Sequence, residues 1–392
     1  MNRYDIAIVG GGIHGVAVAQ AAAAAGYKTL LIEQGARLAL GTSSRSSKLI
    51  HGGLRYLESM QLNLVRECLS EQRLLLHLAP ELVRLVPFHI PIYGDTSRPG
   101  WMIRAGLTLY RLLGSEPFAA IPRRDWQELD GLRLDGLRHL FRYFDAQTDD
   151  AALTRAIMAS ALQLGAGLRL ATCVHSGERV TDGYRLQLVA NGAEQEVAAS
   201  MLVNAAGPWV NSLLQRLTPR PPLLPVDLVA GSHLIVPGSC RHGIYYLEAP
   251  QDRRAVFVMP WQGQKLIGTT ETAFSGDPAQ IAPTDAEIDY LLAVHNHYFT
   301  PKVERTMVVG SFAGLRVLPK GEGSHFLRPR ETIFLPDDAA APRLLTIYGG
   351  KLTAARATAD KLLHLLAPHL PARNRLADTA QLPLTPVAAG DL

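Results

Sequence analysis

The feature that most constrains this chain is a glycine run set between a strand and a helix. Residues 4–9 (YDIAIV) form a short β-rich stretch, and Gly10-Gly11-Gly12-Ile13-His14-Gly15 follows without a spacer. A Val/Ala-rich helical stretch then runs to Gly26, and a second apolar run, 28–33 (KTLLIE), ends on Glu33. Strand, G-x-G-x-x-G, helix, strand and terminal acid together describe the first crossover of a dinucleotide-binding α/β fold. In that reading Gly10 permits the tight turn, Gly12 lets the backbone approach a pyrophosphate, and Gly15 lets helix and strand pack closely. The helix N-terminus offers N–H groups and partial positive charge to the phosphates. Glu33, 21 positions past Gly12, is placed to accept hydrogen bonds from ribose hydroxyls. The plain alternative is a glycine turn in some unrelated α/β unit, and the flanking pattern argues against it.

Composition bounds the rest. A chain of 392 residues, 47% hydrophobic, buries a sizeable core as one large domain or two interleaved ones. Cys68, Cys173 and Cys240 are scattered without a C-x-x-C pair, and read as buried small hydrophobes in a reducing compartment. Of 39 basic residues only seven are Lys, and the net charge is +4. That modest, Arg-dominated excess suits an anionic small substrate or a membrane surface. With no Lys/Arg-rich run, nucleic acid is set aside. The N-terminus enters a strand at once, leaving no room for a signal peptide, and the Ala-rich run 16–25 is too short to span a bilayer. A cytoplasmic protein is expected.

NAD and FAD both use such a crossover, so the glycines alone do not choose between them. The next segment, TSSRSSKLIHGGLRY (42–56), is hydroxyl-rich and then glycine-paired. Its Ser and Thr hydroxyls and glycine N–H groups suit a long anionic cofactor threading inward, although a Ser-rich surface loop would read similarly.

With GGGIHG (10–15), TSSRSSKLIHGGLRYLE (42–58), VNAAGPWV (203–210), GSHLIVP (231–237), VFVMPW (256–261), IGTTE (267–271), GLRVL (314–318) and YGGKLTAAR (348–356), the chain resembles the FAD-dependent glycerol-3-phosphate dehydrogenases. These belong to the wider group of D-amino-acid-oxidase-like flavoproteins. The stretches run in family order, so the resemblance covers nearly the whole catalytic region. It implies an α/β fold in which a Rossmann-like FAD-binding domain (1–85, 145–218 and 340–370) interleaves with an antiparallel-sheet substrate domain (86–144 and 219–339). It also implies FAD as cofactor, glycerol 3-phosphate or a similar small anion as substrate, and quinone or oxygen as acceptor. Peripheral contact with the inner membrane face is implied as well. Cofactor contacts carried over by the resemblance are Gly10, Gly12, Ile13, His14, Gly15, Glu33, Thr42, Ser43, Ser44, Ser47, Lys48, Leu49, His51, Gly52, Gly53, Val174, Ala205, Ala206, Gly207, Trp209, Gly314, Gly350, Lys351, Leu352 and Thr353. Departures are Glu271 where relatives usually read Asp, Val317 where Pro is usual, and the lack of a further C-terminal helical domain. They bear on substrate and regulation more than on the flavin.

Local patterns fit that organisation. Asp149 caps a helix with Leu153, Ile157, Ala161 and Leu164 at helical spacing, closed by Gly165. LVNAAG (202–207) is a buried parallel-strand pattern, with Pro208 opening a helix. Strand runs follow at 232–236, 254–260 and 264–269, and Thr284 with Glu287 forms a capping box for a helix burying Ile288, Leu291, Leu292 and Phe299. Residues 371–392, rich in Pro and Ala, read as a loose tail.

Oxidising a secondary alcohol with a flavin requires a proton acceptor, a carbon hydrogen aimed at the ring, and fixed positive charge for an anionic substrate. His233, with an ordinary pKa near neutral, is the candidate base, against a reading as a core histidine. Arg55, Tyr56, Arg316, Arg330 and Lys351 are the candidate substrate contacts, since a guanidinium matches phosphate oxygens in bidentate fashion. Arg316 would alternatively stabilise a developing alkoxide. The turn Gly349-Gly350 and a helix from Lys351 to about 366 would aim a helix N-terminus at the flavin's pyrimidine edge. Finally, Trp101, Met102, Ile103, Leu107, Leu109, Tyr110, Leu112 and Leu113 among Arg98, Arg104 and Arg111 pattern either an interfacial amphipathic helix or a core helix.

Overall fold

The computed structural model describes residues 2–321, 331–388 and 390–392, and is a mixed α/β structure built on two sheets. At the centre of the first sheet the strand Asn2–Val9 pairs in parallel with Thr29–Ile32 on one side and Ala193–Asn204 on the other. Gly167–Arg169 extends it beyond Thr29–Ile32, and Leu344–Tyr348 pairs in parallel with Leu202–Asn204. The run of Ile, Leu, Val and Ala on these strands reflects burial on both faces, as parallel sheets require. Because the strands are parallel, their C-terminal ends share one edge. The loops at Gly10, Glu33, Ala205 and Gly349 therefore gather there, the crevice where open α/β sheets bind ligands.

The helix Ile13–Ala24 packs on this sheet between Asp150–Gln163 and Ala355–Leu366. Its alanines are nearly all buried, and their small side chains let three helices approach closely. Asp149 caps the second helix by accepting from the Ala152 N–H at 2.9 Å. The third begins at Ala355, not Lys351, because residues 351–354 form a turn.

The second sheet is mainly antiparallel. Val226–Val236 lies between Gly310–Pro319 and Gln264–Gly268, with His233 opposite Phe312 and Gly268, and Val229 opposite Arg316. The helix Asp285–Tyr298 covers it, and Thr284 and Glu287 form the complete capping box. Ile333–Pro336, expected in the substrate half, instead pairs antiparallel with Leu344–Tyr348 in the first sheet, as the near arm of a hairpin. Leu49–Ile50, expected in the cofactor half, pairs with Gln147 and Ala146 in the second.

Two further readings need correction. Cys68 and Cys240 are buried, but Cys173 is exposed, since it alternates with buried Thr172 and Val174 on an outer strand. The C-terminal segment is docked, not loose. Arg373 pairs with Asp5 at 2.8 Å, the Leu376 and Leu384 N–H groups donate to Ala24 and Leu78 carbonyls, and Leu384 is buried in the helix core. Proline removes donors but leaves apolar side chains to anchor such a segment without regular structure. Leu384→Ala should therefore cost about 2 kcal/mol of unfolding free energy. Chemical denaturation measures this, and an unchanged midpoint would show that the segment carries no stability.

Candidate active site

A cavity of about 790 Å³ runs from the glycine edge of the first sheet to the second sheet. At one end lie Gly10, Gly12, Ile13, His14 and Glu33 with Thr42 and Ser43. A Cβ at Gly12 would stand 3.0 Å from the Ser43 hydroxyl, and Gly10 has φ +114 beside the Ala205 carbonyl, so both positions keep the backbone bare toward the cavity. The Ile13 N–H donates to Ser43 Oγ at 2.9 Å, fixing the hydroxyl loop on the helix N-terminus. The Glu33 carboxylate accepts from the Gly11 and Gly35 N–H groups, each at 2.6 Å, and still faces the cavity. An opening of this size, with bare backbone, a helix N-terminus and a pinned carboxylate at one end, fits a dinucleotide.

The middle is lined by Ser47, Leu49, His51, Gly53, Val174, Ala205, Ala206, Gly207 and Trp209, and by Gly314, Gly350, Leu352 and Thr353 from the far segments. His51 N–H donates to Thr353 Oγ1 at 3.1 Å, tying the two motif loops together. Gly350, at φ +103, leaves room for the His14 ring, whose Nε2 a Cβ would meet at 2.1 Å. Four expected contacts stand behind the wall. Gly15 sits where a Cβ would fall 1.8 Å from the Gly10 carbonyl, which makes it a packing glycine. Ser44 Oγ donates back to Gly41. The buried Lys48 Nζ is committed to Asp150 at 2.6 Å. The Gly52 N–H donates to Asp145 at 3.3 Å.

At the second sheet the cavity meets Arg55, Tyr56, Lys351, His233 and Arg316. The Tyr56 ring carries Lys351 Nζ at 3.8 Å and the Arg55 guanidinium at 5.9 Å. Arg330 lies outside the described residues. His233 Nε2 is 2.9 Å from Ser47 Oγ, and its ring stacks on Phe312 at 4.9 Å. Burial first, then the charges of Arg316 and Lys48, push the His233 imidazole down to about 3. The near-neutral value expected for it is thus overturned, because an isolated imidazole says nothing of the cations folded around it. The ring is neutral and able to accept a proton, and an anionic substrate between it and Arg316 would raise its basicity.

Tyr246, Phe257 and Gly231 of the second sheet and Thr269 just past one of its strands also line the cavity, as does Arg216 beside Val174. Gly231, Phe257 and Thr269 lie in stretches that carry the family resemblance, whereas Tyr246 and Arg216 depend on strand register and distant pairing, which no local pattern carries. Asp145 was missed as well. It accepts from Gln72 at 2.7 Å and Tyr110 at 2.9 Å, and burial pushes its carboxyl up to about 7.

A family model described as FAD dependent oxidoreductase matches residues 5–363. The chain belongs to this family of FAD-dependent oxidoreductases, and FAD is its cofactor. Within the family it is 39% identical to a glycerol-3-phosphate dehydrogenase of Pseudomonas aeruginosa, over 97% of this chain and 75% of that protein. It is 37% identical to a D-erythritol 1-phosphate dehydrogenase of Brucella abortus, over 92% of this chain and 73% of that protein. The solved glycerol-3-phosphate dehydrogenase of Bacillus halodurans, complexed with FAD, superposes with a TM-score of 0.78 at 27% identity, covering 97% of this chain and 68% of that one.

Burial holds the imidazoles of His14, His51, His89 and His295 down to about 4, alongside His233 at about 3. Between pH 6.5 and about 4 the unfolded chain binds protons that the folded one refuses, so stability present above 6.5 is lost on acidification. The buried carboxyls of Asp145, Glu71 and Asp150 oppose this, since burial raises each of them and protonation relieves that cost, for Asp145 already below about 7. The thermal midpoint should fall steadily from pH 6.5 to about 4, and a flat profile would contradict the neutral burial of these rings.

Proposed function

We propose that the protein oxidises sn-glycerol 3-phosphate to dihydroxyacetone phosphate, with the first sheet binding FAD and the second binding substrate. The observation that carries this reading is the meeting of Arg55, Lys351 and Arg316 with a neutral His233 on one cavity that also holds the glycine cradle. Bound there, FAD supplies the two-electron acceptor that oxidation of a secondary alcohol requires. Arg55 and Lys351, both held against the Tyr56 ring, grip the phosphate. Arg316 faces the reacting oxygen, and the His233 imidazole receives the hydroxyl proton. Phe88, Tyr143, Tyr246 and Phe257 wall the cavity with rings and exclude water. A longer polyol phosphate is the second reading, favoured by the similarity to the erythritol phosphate enzyme.

Anaerobic addition of glycerol 3-phosphate should bleach the flavin. Bleaching only by D-erythritol 1-phosphate would move the assignment to the longer polyol, and bleaching only by amino or hydroxy acids would discard both. His233→Asn should slow reduction by about 10² or more with the flavin still bound. Arg55→Ala should raise the substrate dissociation constant about tenfold or more, and an unchanged constant would remove Arg55 from the phosphate site.

We further infer peripheral membrane contact, with a quinone as the electron acceptor. No helix of the described residues is long and apolar enough to cross a membrane. The helix Gly100–Leu112 buries Leu107 and Tyr110 but leaves Trp101 70% and Leu112 78% exposed, with Met102, Arg104 and Arg111 also outward. An apolar face with basic flanks suits an anionic bilayer surface. Trp101→Glu should abolish co-sedimentation with anionic vesicles without changing soluble turnover, and equal sedimentation of both forms would refute the contact.

A further inference from the structure

Arg316 reaches the cavity from the strand Gly310–Pro319 on a long, flexible stem with its side chain 35% exposed, so something must select its direction. Behind it stands Glu271. Its side chain is only 4% exposed and does not line the cavity, yet its Oε1 lies 3.5 Å from Arg316 Nη1. Glu271 Oε2 lies 4.0 Å from Arg254 Nε on the other side. Arg254 also donates from Nη1 to the Glu271 carbonyl at 3.3 Å and from Nη2 to the Thr269 carbonyl at 3.4 Å. The same short segment is pinned from the helix side. Thr270 and Thr272 hydroxyls donate to Glu287 Oε1 at 2.7 and 3.0 Å, and Thr270 Oγ1 accepts from the Ser232 N–H at 2.9 Å. Glu271 is therefore held in place before any ligand arrives.

We propose that Glu271, braced by Arg254, is a positioning residue that aims the Arg316 guanidinium at the substrate and so sets substrate affinity. This rests on the reading of Arg316 as a substrate contact. The Glu271 carboxylate is buried, so its pull on the partly exposed guanidinium is screened less than in a fully exposed pair, and a bare Gly231 leaves that guanidinium room: a Cβ there would come within 3.3 Å of Arg316 Nη2. Asp252 Oδ2 lies 3.8 Å from Arg254 Nη1, so the four groups together are formally neutral, and Arg316 is the cation among them that lines the cavity.

The test uses flavin-loaded enzyme and steady-state turnover of glycerol 3-phosphate by wild type, Glu271→Gln, Glu271→Asp, Arg316→Ala and the Glu271→Gln/Arg316→Ala double variant. Glu271→Gln should raise KM about three- to tenfold with a smaller change in kcat, and Glu271→Asp, which keeps the charge, should recover part of the loss. In the Arg316→Ala background, Glu271→Gln should add nothing, because there is no guanidinium left to aim. An unchanged KM in Glu271→Gln, or a full additive effect in the double variant, overturns the positioning role while leaving Arg316 in the site. An unchanged KM in Arg316→Ala overturns the underlying reading of Arg316 and this proposal with it. Should Glu271→Gln fail to retain flavin, Glu271→Asp, which shortens the side chain that aims Arg316, should raise KM to a lesser degree and add nothing in the Arg316→Ala background, and an unchanged KM overturns the role.

Discussion

A Cβ on Gly15 would lie 1.8 Å from the Gly10 carbonyl, and one on Gly10 would lie 2.4 Å from the Ala205 carbonyl. The backbones at Gly10 and Gly15, neighbours in one motif, and at Ala205, far from both in sequence, thus touch with no side chain between them. This bare contact lets the first strand, its helix and the strand Ala193–Asn204 close on one another, and it leaves the helix N-terminus open toward the cavity. The later loops at Ala205 and Gly349 reach the same edge only because their strands align in parallel with the first. The loops that line the glycine end of the cavity depend on that shared edge.

The second sheet contributes chemistry to the same cavity without sharing the first sheet's register. Its antiparallel strands bring His233 opposite Phe312 and Gly268, and Arg316 onto the neighbouring strand. Burying His233 beside Arg316 and Lys48 keeps its ring neutral, at the cost of acid lability shared with the other buried imidazoles. The buried pair of Lys48 and Asp150 serves the architecture: it holds the hydroxyl loop to the helix Asp150–Gln163, since Ser46 Oγ also donates to Asp150 at 2.6 Å. Lys48, inside a cofactor motif, thus braces the cavity wall from behind.

Much of the cofactor end was legible because its signals are short-range. The glycine spacing, Glu33 and the hydroxyl loop lie within about forty residues, and each reads as backbone conformation or local donor supply. Less of the substrate end was legible. Tyr246 and Asp145 carry no motif, and Phe257, although inside VFVMPW, was given no role; all three face the cavity only through sheet register and distant burial. Exposure of Cys173 and docking of Leu384 escaped for a similar reason, since each depends on what lies opposite.

The amino-acid order alone settled the first crossover, the helix caps at Asp149 and Thr284, and the resemblance that named a flavin, because those rest on conformational preferences of neighbouring residues. Tertiary structure decided which cations face the cavity, which lysine is spent on an internal carboxylate, and how basic His233 is. Such properties belong to desolvation and to charges brought close across hundreds of residues, and no local stretch of chain contains them.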